Sequence, residues 1–403
     1  MPLKPVTRLF FITIGWTLAM YSASNFIGAW FWDIGTGLRP ILLFYTIFFV
    51  VMVLSFGMAS RIRSRISSPV LMTLGIVLNA IYLALLLLMQ TKTRQYYVPL
   101  AVLDGFSSSF YWLSLFVLAS SWVEAGQESW YNSWTGTIEA VLGLVAPPLS
   151  GWVIQALPGL NGYRTVFLAA FLALLGCTWL ALAGRRHLPQ SQLHFRPQKT
   201  ETRTRALVQI PQWRRLVWSF WGLGLRDGIY FFVPSLLLFI VTGSTVLLGV
   251  FNAMQAAIEG IVFWALTRSE HLSRQRSMLG ATLVSFTALT LMIVPLNAVV
   301  LFLLGGVIAV AYPSFKVTLE SSALTVITRY GRNEQERTRL TGLKEVWINS
   351  GRLLGLVFLV ILLSLLGPLH ITVFRWILGL WALVPAGLYL LARELPESQA
   401  GWE

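Results

Sequence analysis

Runs of about twenty predominantly apolar residues follow one another almost without a break from Leu9 to Ala392. A helix rising about 1.5 Å per residue needs a run of that length to cross a hydrocarbon layer of about 30 Å. In lipid the backbone must satisfy its own polar groups, so each run is read as a helix. Six precede the one long hydrophilic stretch: Leu9–Trp32, Pro40–Ala59, Pro69–Gln90, Tyr97–Ser121, Trp134–Leu157 and Thr165–Ala183. Six follow it: Leu216–Val241, Val246–Thr267, Met278–Leu296, Val299–Thr325, Leu343–Leu366 and Val373–Ala392. The stretch between, Gly184–Arg214, is dense in Lys and Arg and holds three Pro and a single Glu, so it cannot bury a face. The expected organisation is a six-helix bundle over 1–183, a basic linker over 184–214 and a second six-helix bundle over 215–403.

Charged residues make up only 11% of the chain, against about 25% in an ordinary soluble domain. A net charge of +14 points to nucleic acid in a soluble protein. Here the basic residues sort by side of the membrane instead. With the N-terminus inside, 22 of the 30 Lys and Arg fall on the cytoplasmic side. Five fall outside (Arg39, Lys92, Arg94, Arg164 and Arg375) and three lie within spans (Arg226, Lys316 and Arg352). That asymmetry predicts a multi-pass protein of the plasma membrane with both termini and the linker cytoplasmic, and no nucleic-acid partner. The N-terminal MPLKPVTR leads into a retained first helix and not a cleaved signal. The single Cys, Cys177, excludes an internal disulfide.

The halves repeat one another weakly. Tyr111, Leu118, Ser120 and Ser121 match Tyr312, Leu319, Ser321 and Ser322 at a constant offset of 201. Thr135-Gly136-Thr137-Ile138-Glu139 matches Thr341-Gly342-Leu343-Lys344-Glu345 at an offset of 206. Agreement in order and near-agreement in offset predict two pseudo-symmetric bundles related in parallel.

This arrangement resembles the major facilitator superfamily of secondary transporters over nearly the whole chain. Gly143-Leu-Val-Ala146-Pro147-Pro148-Leu-Ser-Gly151 looks like a degenerate form of the Gly-Pro-rich motif that exporters of that family carry in the fifth span. Asn161-Gly162-Tyr163-Arg164 with Val166-Phe167 is similar to the usual entry to the sixth. Where the family has Gly-x-x-x-Asp-Arg-x-Gly-Arg-Arg, this chain has Gly57-Met-Ala-Ser-Arg61-Ile-Arg63-Ser-Arg65, without the Asp. The resemblance implies alternating access, with spans one, four, seven and ten lining a central cavity. It would place Asp104, Tyr111, Asp227, Lys316 and Glu320 around that cavity, and Arg61, Pro147, Pro148 and Gly151 among the gating elements.

Ionisable residues inside a membrane are costly, so each is a functional candidate by default. Those here are Asp104, Glu139, Arg226, Asp227, Glu259, Lys316, Glu320 and Arg352. Asp227 sits near mid-span, flanked by Gly222, Gly224 and Gly228. Successive helix residues point about 100° apart, so Arg226 and Asp227 are expected to face different partners. One alternative pairs Asp227 with Lys316 or Arg352 as a structural ion pair. Lys316 and Glu320, four apart beside Tyr312, share a face and are expected to neutralise each other. Tyr21 and Asn25 add hydrogen-bonding groups to the first span. Glu139 and Glu345 sit at helix starts, where a carboxylate suits the helix dipole, and are read as gating contacts. Glu259 has no partner in its own helix and is a secondary proton-site candidate. Trp30 is expected in an aromatic belt at the membrane interface.

The leading expectation is a proton-coupled secondary transporter, monomeric, exporting a lipophilic or amphipathic small molecule. A lipid or glycolipid flippase and a proton-coupled nutrient importer are the alternatives within the same architecture. A membrane enzyme lacks its usual carriers: all four His lie in loops or at a span edge, and no His-Glu-x-x-His, Gly-x-Ser-x-Gly or Walker motif occurs. No cofactor and no metal site is expected.

Overall fold

The computed structural model describes residues 5–58, 62, 66–122, 128–185, 211–268, 273–330, 334–366 and 371–395. Among them there is helix and no strand. The helices are α1 (Pro5–Ala23), α2 (Ile27–Asp33), α3 (Leu38–Gly57), α4 (Ser68–Met89), α5 (Tyr97–Trp122), α6 (Glu128–Ala156) and α7 (Asn161–Arg185), then α8 (Pro211–Tyr230), α9 (Val233–Thr242), α10 (Thr245–Arg268), α11 (Arg274–Leu291), α12 (Ala298–Tyr330), α13 (Glu334–Leu366), α14 (Ile371–Trp381) and α15 (Val384–Ala392).

Eleven of the twelve expected spans reach the length and apolarity of a membrane-crossing helix among the described residues. The remaining one, expected over Met278–Leu296, is α11. Its first turn, Arg274-Gln275-Arg276-Ser277, is polar, and Thr282 and Ser285 turn their hydroxyls back onto the carbonyls of Met278 and Ala281 at 2.9 and 2.8 Å. It stops at Leu291 and not Leu296 because Pro295 disfavours helical geometry in the residue before it. With α11 the described residues form an all-α polytopic fold of twelve helical passes.

Three of those passes are broken. A 3-10 turn, Ser24–Phe26, separates α1 from α2. Phe231 and Phe232 separate α8 from α9, whose first turn holds Pro234, and Ala382 and Leu383 separate α14 from α15, whose first turn holds Pro385. Proline is tolerated in a first turn but cannot continue a helix running in from before it. The breaks in passes one and seven correspond: Phe26 and Phe232 stand at the same offset of 206 that relates Thr135 to Thr341.

The chain forms two compact units. Unit 1 takes the described parts of Met1–Lys199, Ser244–Val250 and Asn333–Leu343. In it α5 packs on α3 and α4, α7 on α1 and α4, and the Trp16 ring of α1 stacks on Tyr111 of α5 at 3.8 Å and 9°. Trp30 is fully buried, not at an interface: its indole N–H donates to Thr93 Oγ1 at 3.3 Å, and its ring meets Tyr163 and Phe167 edge-on. A buried indole needs such an acceptor, and the turn after α4 supplies one. The start of α10 joins this unit, with Thr245 Oγ1 donating to the Gly151 carbonyl of α6 at 2.8 Å.

Unit 2 takes the described parts of Thr200–Gly243, Phe251–Arg332 and Lys344–Glu403. Its tightest crossing joins α8 to α13. Gly224 and Gly228 on one helix and Gly351 and Gly355 on the other are each spaced by four. A Cβ at Gly224 would overlap the Ile348 carbonyl, at Gly228 the Arg352 carbonyl, and at Gly351 the Trp221 carbonyl. Small residues at this spacing let two backbones touch, which in lipid takes the place of the hydrophobic drive. Gly351→Ala should therefore lower stability by about 1–3 kcal/mol, the usual cost of overpacking. Gly280→Ala, where a Cβ meets nothing within 4 Å, should hold or raise it by up to about 1 kcal/mol. Thermal unfolding of the two purified variants in detergent checks this, and equal midpoints would remove the crossing as a stability determinant.

Candidate functional site

The α8–α13 crossing brings buried charge together in unit 2. Arg226 and Asp227 close the last turns of α8 before the break and are 2% and 4% exposed. Arg226 Nη1 donates to Asp227 Oδ1 at 3.1 Å, and its Nη2 donates to the Ile308 carbonyl of α12 at 3.0 Å. Arg352 Nη2 on α13 donates to the other oxygen, Asp227 Oδ2, at 3.4 Å. The two neighbours thus reach different helices as the 100° turn requires. Their direct bond was not expected, and the length of the arginine side chain allows it by letting the guanidinium fold back. Of the two partners considered for Asp227, Arg352 is the one in contact.

From Arg352 the polar contacts continue along one face of α13. Arg352 Nη1 donates to Asn349 Oδ1 at 3.2 Å, and Asn349 Nδ2 donates to the Glu345 carbonyl at 2.8 Å and to Glu345 Oε2 at 3.4 Å. Glu345 Oε1 lies 3.1 Å from Lys344 Nζ. Lys344 in turn donates to both carboxylate oxygens of Glu320 on α12 at 2.9 Å. The expected pairing of Glu320 with Lys316 gives way to this two-pronged bond with Lys344, because α13 presents a buried ammonium directly opposite. Glu345 is a member of the network and, like Glu139, does not sit at a helix start: α13 already runs from Glu334 and α6 from Glu128, three turns earlier.

Lys316 and Tyr312 continue the site on α12. The Tyr312 ring is flanked by two cations, with Arg226 Cζ 5.5 Å and Lys316 Nζ 5.4 Å from its centroid. Lys316 also stands 5.9 Å from the Phe263 ring, and Arg226 5.6 Å from Tyr230. Glu259 of α10 lies within electrostatic reach of Lys316, Arg226 and Asp227. It is half-buried, and among the described residues it makes no hydrogen bond and no ion pair. Arg226, Lys316, Lys344 and Arg352 balance Asp227, Glu259, Glu320 and Glu345, so the cluster is neutral with all eight ionised. Breaking a buried pair by removing one member leaves its partner stranded, which is why such groups occur in balance.

The other candidates lie in unit 1. Asp104 accepts from Asn79, Tyr111 stacks on Trp16, and Glu139 is half-buried on α6. Tyr21 and Asn25 do not meet through their side chains. Asn25 Nδ2 donates to the Tyr21 backbone carbonyl at 3.2 Å, within the 3-10 break of the first pass. Pro147 and Pro148 sit inside α6, where the backbone of Gly249 approaches them, and Gly151 accepts from Thr245. Arg61, the four His, the linker from Arg186 to Ile210 and the Ser120 and Ser121 side chains lie outside the described residues. The sequence reading missed Lys344 and Asn349, although the spacing of 345, 349 and 352 puts Asn349 on one helical stripe with Glu345 and Arg352. It also missed Gly351 and Gly355, whose four-residue spacing mirrors Gly224 and Gly228.

No family model matches the chain. It is 28% identical over 364 residues to the uncharacterized protein YqgE of Bacillus subtilis (strain 168), a match covering 89% of this chain and 83% of that protein. It is 27% identical over 154 residues to an uncharacterized protein in the sodM 3′ region of Geobacillus stearothermophilus, covering 38% of this chain and 72% of the other. In three dimensions it is similar to the crystal structure of a bacterial homologue of the iron transporter ferroportin in its inward-facing state, with a TM-score of 0.70, 14% identity and coverage of 100% and 99% of the two chains. The outward-facing structure gives a TM-score of 0.68, again at 14% identity, covering 99% of each. At that identity the likeness establishes the fold.

Because the Asp227–Arg352 bond links α8 to α13, Asp227→Asn and Arg352→Met should be coupled. Each alone should destabilise, and the double variant should recover at least about 1 kcal/mol of the summed loss. The same cycle with Lys316→Met should show less coupling. Unfolding midpoints of the purified variants decide it, and a stronger Lys316 coupling would reverse the assignment.

Proposed function

We propose that this protein is a secondary transporter that works by alternating access, couples to protons, and exports a lipophilic or amphipathic small molecule. The observation that carries the coupling is Glu259. Every other carboxylate of the unit 2 cluster is held by at least one cation or amide, whereas Glu259 stands beside three charged groups and bonds to none among the described residues. A carboxylate with no fixed partner in a span exchanges a proton without tearing an ion pair apart. Asp227 is the anchor of the cluster: bonded to Arg226 and Arg352, it ties α8 to α13 beside the α8 break. Interrupted helices at corresponding places in passes one and seven supply the pattern typical of substrate and coupling-ion sites in secondary transporters.

The charge balance of the cluster supports the choice of cargo. A strongly charged substrate would find no unmatched countercharge there, while a neutral or amphipathic one would leave the ladder intact. The export direction rests on the fifth-span resemblance around Pro147, Pro148 and Gly151. A second reading, a divalent metal ion as cargo, is favoured by the ferroportin homologues that share the fold. Membership of the major facilitator superfamily, the cytoplasmic placing of both termini and the monomeric state are parts of the same proposal.

Reconstitution into liposomes tests it. Wild-type protein should move cargo faster under an imposed pH gradient, and Glu259→Gln should lose that response by at least about tenfold while keeping its fold. Transport by Glu259→Gln with an unchanged response to pH would remove Glu259 as the proton carrier. A panel of lipophilic cations, neutral amphiphiles, phospholipids and ferrous or manganous ions separates the cargo readings in the same assay.

A further inference from the structure

A second polar cluster lies in unit 1, apart from the charged ladder. Tyr45 is the seventh residue after Leu38 at the start of α3, Asp104 the seventh after Tyr97 at the start of α5, and Tyr82 the seventh before Met89 at the end of α4. These three helix ends gather at one end of the bundle, so the three side chains originate at one depth, about 10 Å in. The helices are drawn close there. A Cβ on Gly105 would stand 2.9 Å from the Phe48 carbonyl of α3, and one on Gly75 of α4 2.9 Å from the Ser107 carbonyl of α5.

The cluster is built from oxygen. Asn79 Nδ2 donates to Asp104 Oδ1 at 3.2 Å and to Ser107 Oγ at 3.1 Å, and Ser107 Oγ donates to the Asp104 carbonyl at 2.8 Å. Tyr82 and Tyr45 lie within electrostatic reach of Asp104 and of each other. Two polar atoms of this cluster have no hydrogen-bond partner among the described residues: Asn79 Oδ1 and the Tyr82 hydroxyl. Their residues are 1% and 2% exposed, so water does not satisfy them from outside. A buried polar atom left unmatched costs about 1–3 kcal/mol, and two beside one carboxylate call for a ligand.

The donor chemistry selects that ligand. A carboxylate, an amide oxygen, a hydroxyl and phenol oxygens suit hard cations, not soft metals. A single carboxylate neutralises a monovalent ion, whereas a divalent ion would leave a net positive charge in a low-dielectric interior. We infer that Asp104, Asn79 and Tyr82 form a binding site for a dehydrated monovalent alkali cation of the sodium class, reached from the bundle end that carries Leu38, Met89 and Tyr97. On binding, Asn79 Oδ1 and the Tyr82 oxygen take up the ion beside Asp104, while the Asn79 NH2 keeps its bonds to Asp104 and Ser107. The site belongs to unit 1 and is read out by equilibrium binding, so it stands or falls independently of proton coupling at Glu259.

The test uses the purified full-length protein in detergent, with sodium chloride titrated against choline chloride at constant ionic strength. The thermal midpoint should rise with sodium and saturate, and radioactive sodium should bind over the same range. Tyr82→Phe, which keeps the ring and removes one oxygen, should raise the half-saturating sodium concentration about tenfold. Asp104→Asn should abolish the response. If Asp104→Asn does not fold, Tyr82→Phe carries the test alone. No sodium dependence in wild type would overturn the inference. So would a sodium response that Tyr82→Phe leaves unchanged, or a response to calcium or magnesium in place of sodium.

Discussion

A guanidinium inside a membrane protein needs its charge answered, and unit 2 is arranged around two of them. Arg226 and Arg352 enter from different helices and meet on the two oxygens of Asp227. The meeting requires α8 and α13 to approach at backbone distance, which Gly224, Gly228, Gly351 and Gly355 permit. It also requires a further acceptor for Arg226, and the Ile308 carbonyl of α12 provides it. Three helices are thereby fixed by one carboxylate. The rest of the ladder, from Asn349 to Glu320, repeats the solution along α13, each polar group satisfied by the next.

The architecture was legible in the sequence because the solvent sets it. Apolar run length alone located the passes, and most helix limits fall within a few residues of where hydropathy put them. Departures have local causes: α11 is shortened by Pro295 and diluted by hydroxyls. Trp30 misled the reading because composition says that tryptophan is common at interfaces, while only the fold reveals the Thr93 acceptor behind it. The candidate site was half legible. Single charges in apolar runs are conspicuous, and Asp227, Arg226, Glu259, Lys316, Glu320 and Arg352 were all visible. Which cation answers which carboxylate is a matter of helix crossing and rotation, and these are set by glycine contacts between segments more than a hundred residues apart.

Lys344 shows the limit most clearly. In sequence it stands in an ordinary repeat position opposite Ile138, near a helix start where a lysine draws no attention. In the structure it is buried and held by Glu320 and Glu345. The correspondence between halves also proved deeper than residue matches suggested. Passes one and seven each break before they are complete, at Ser24–Phe26 and at Phe231 and Phe232, although the turns have only a phenylalanine in common. Shape is kept where side chains have diverged.

The charge balance of the unit 2 cluster has an electrical consequence. A charge carried through a membrane potential of 100 mV gains or loses about 2.3 kcal/mol, enough to bias a conformational equilibrium strongly. Four cations moving together with four carboxylates carry no net charge through the field. The resting voltage therefore exerts no net pull on this cluster, and under the proposed coupling a proton taken up at Glu259 would be the one unit of charge there on which voltage acts.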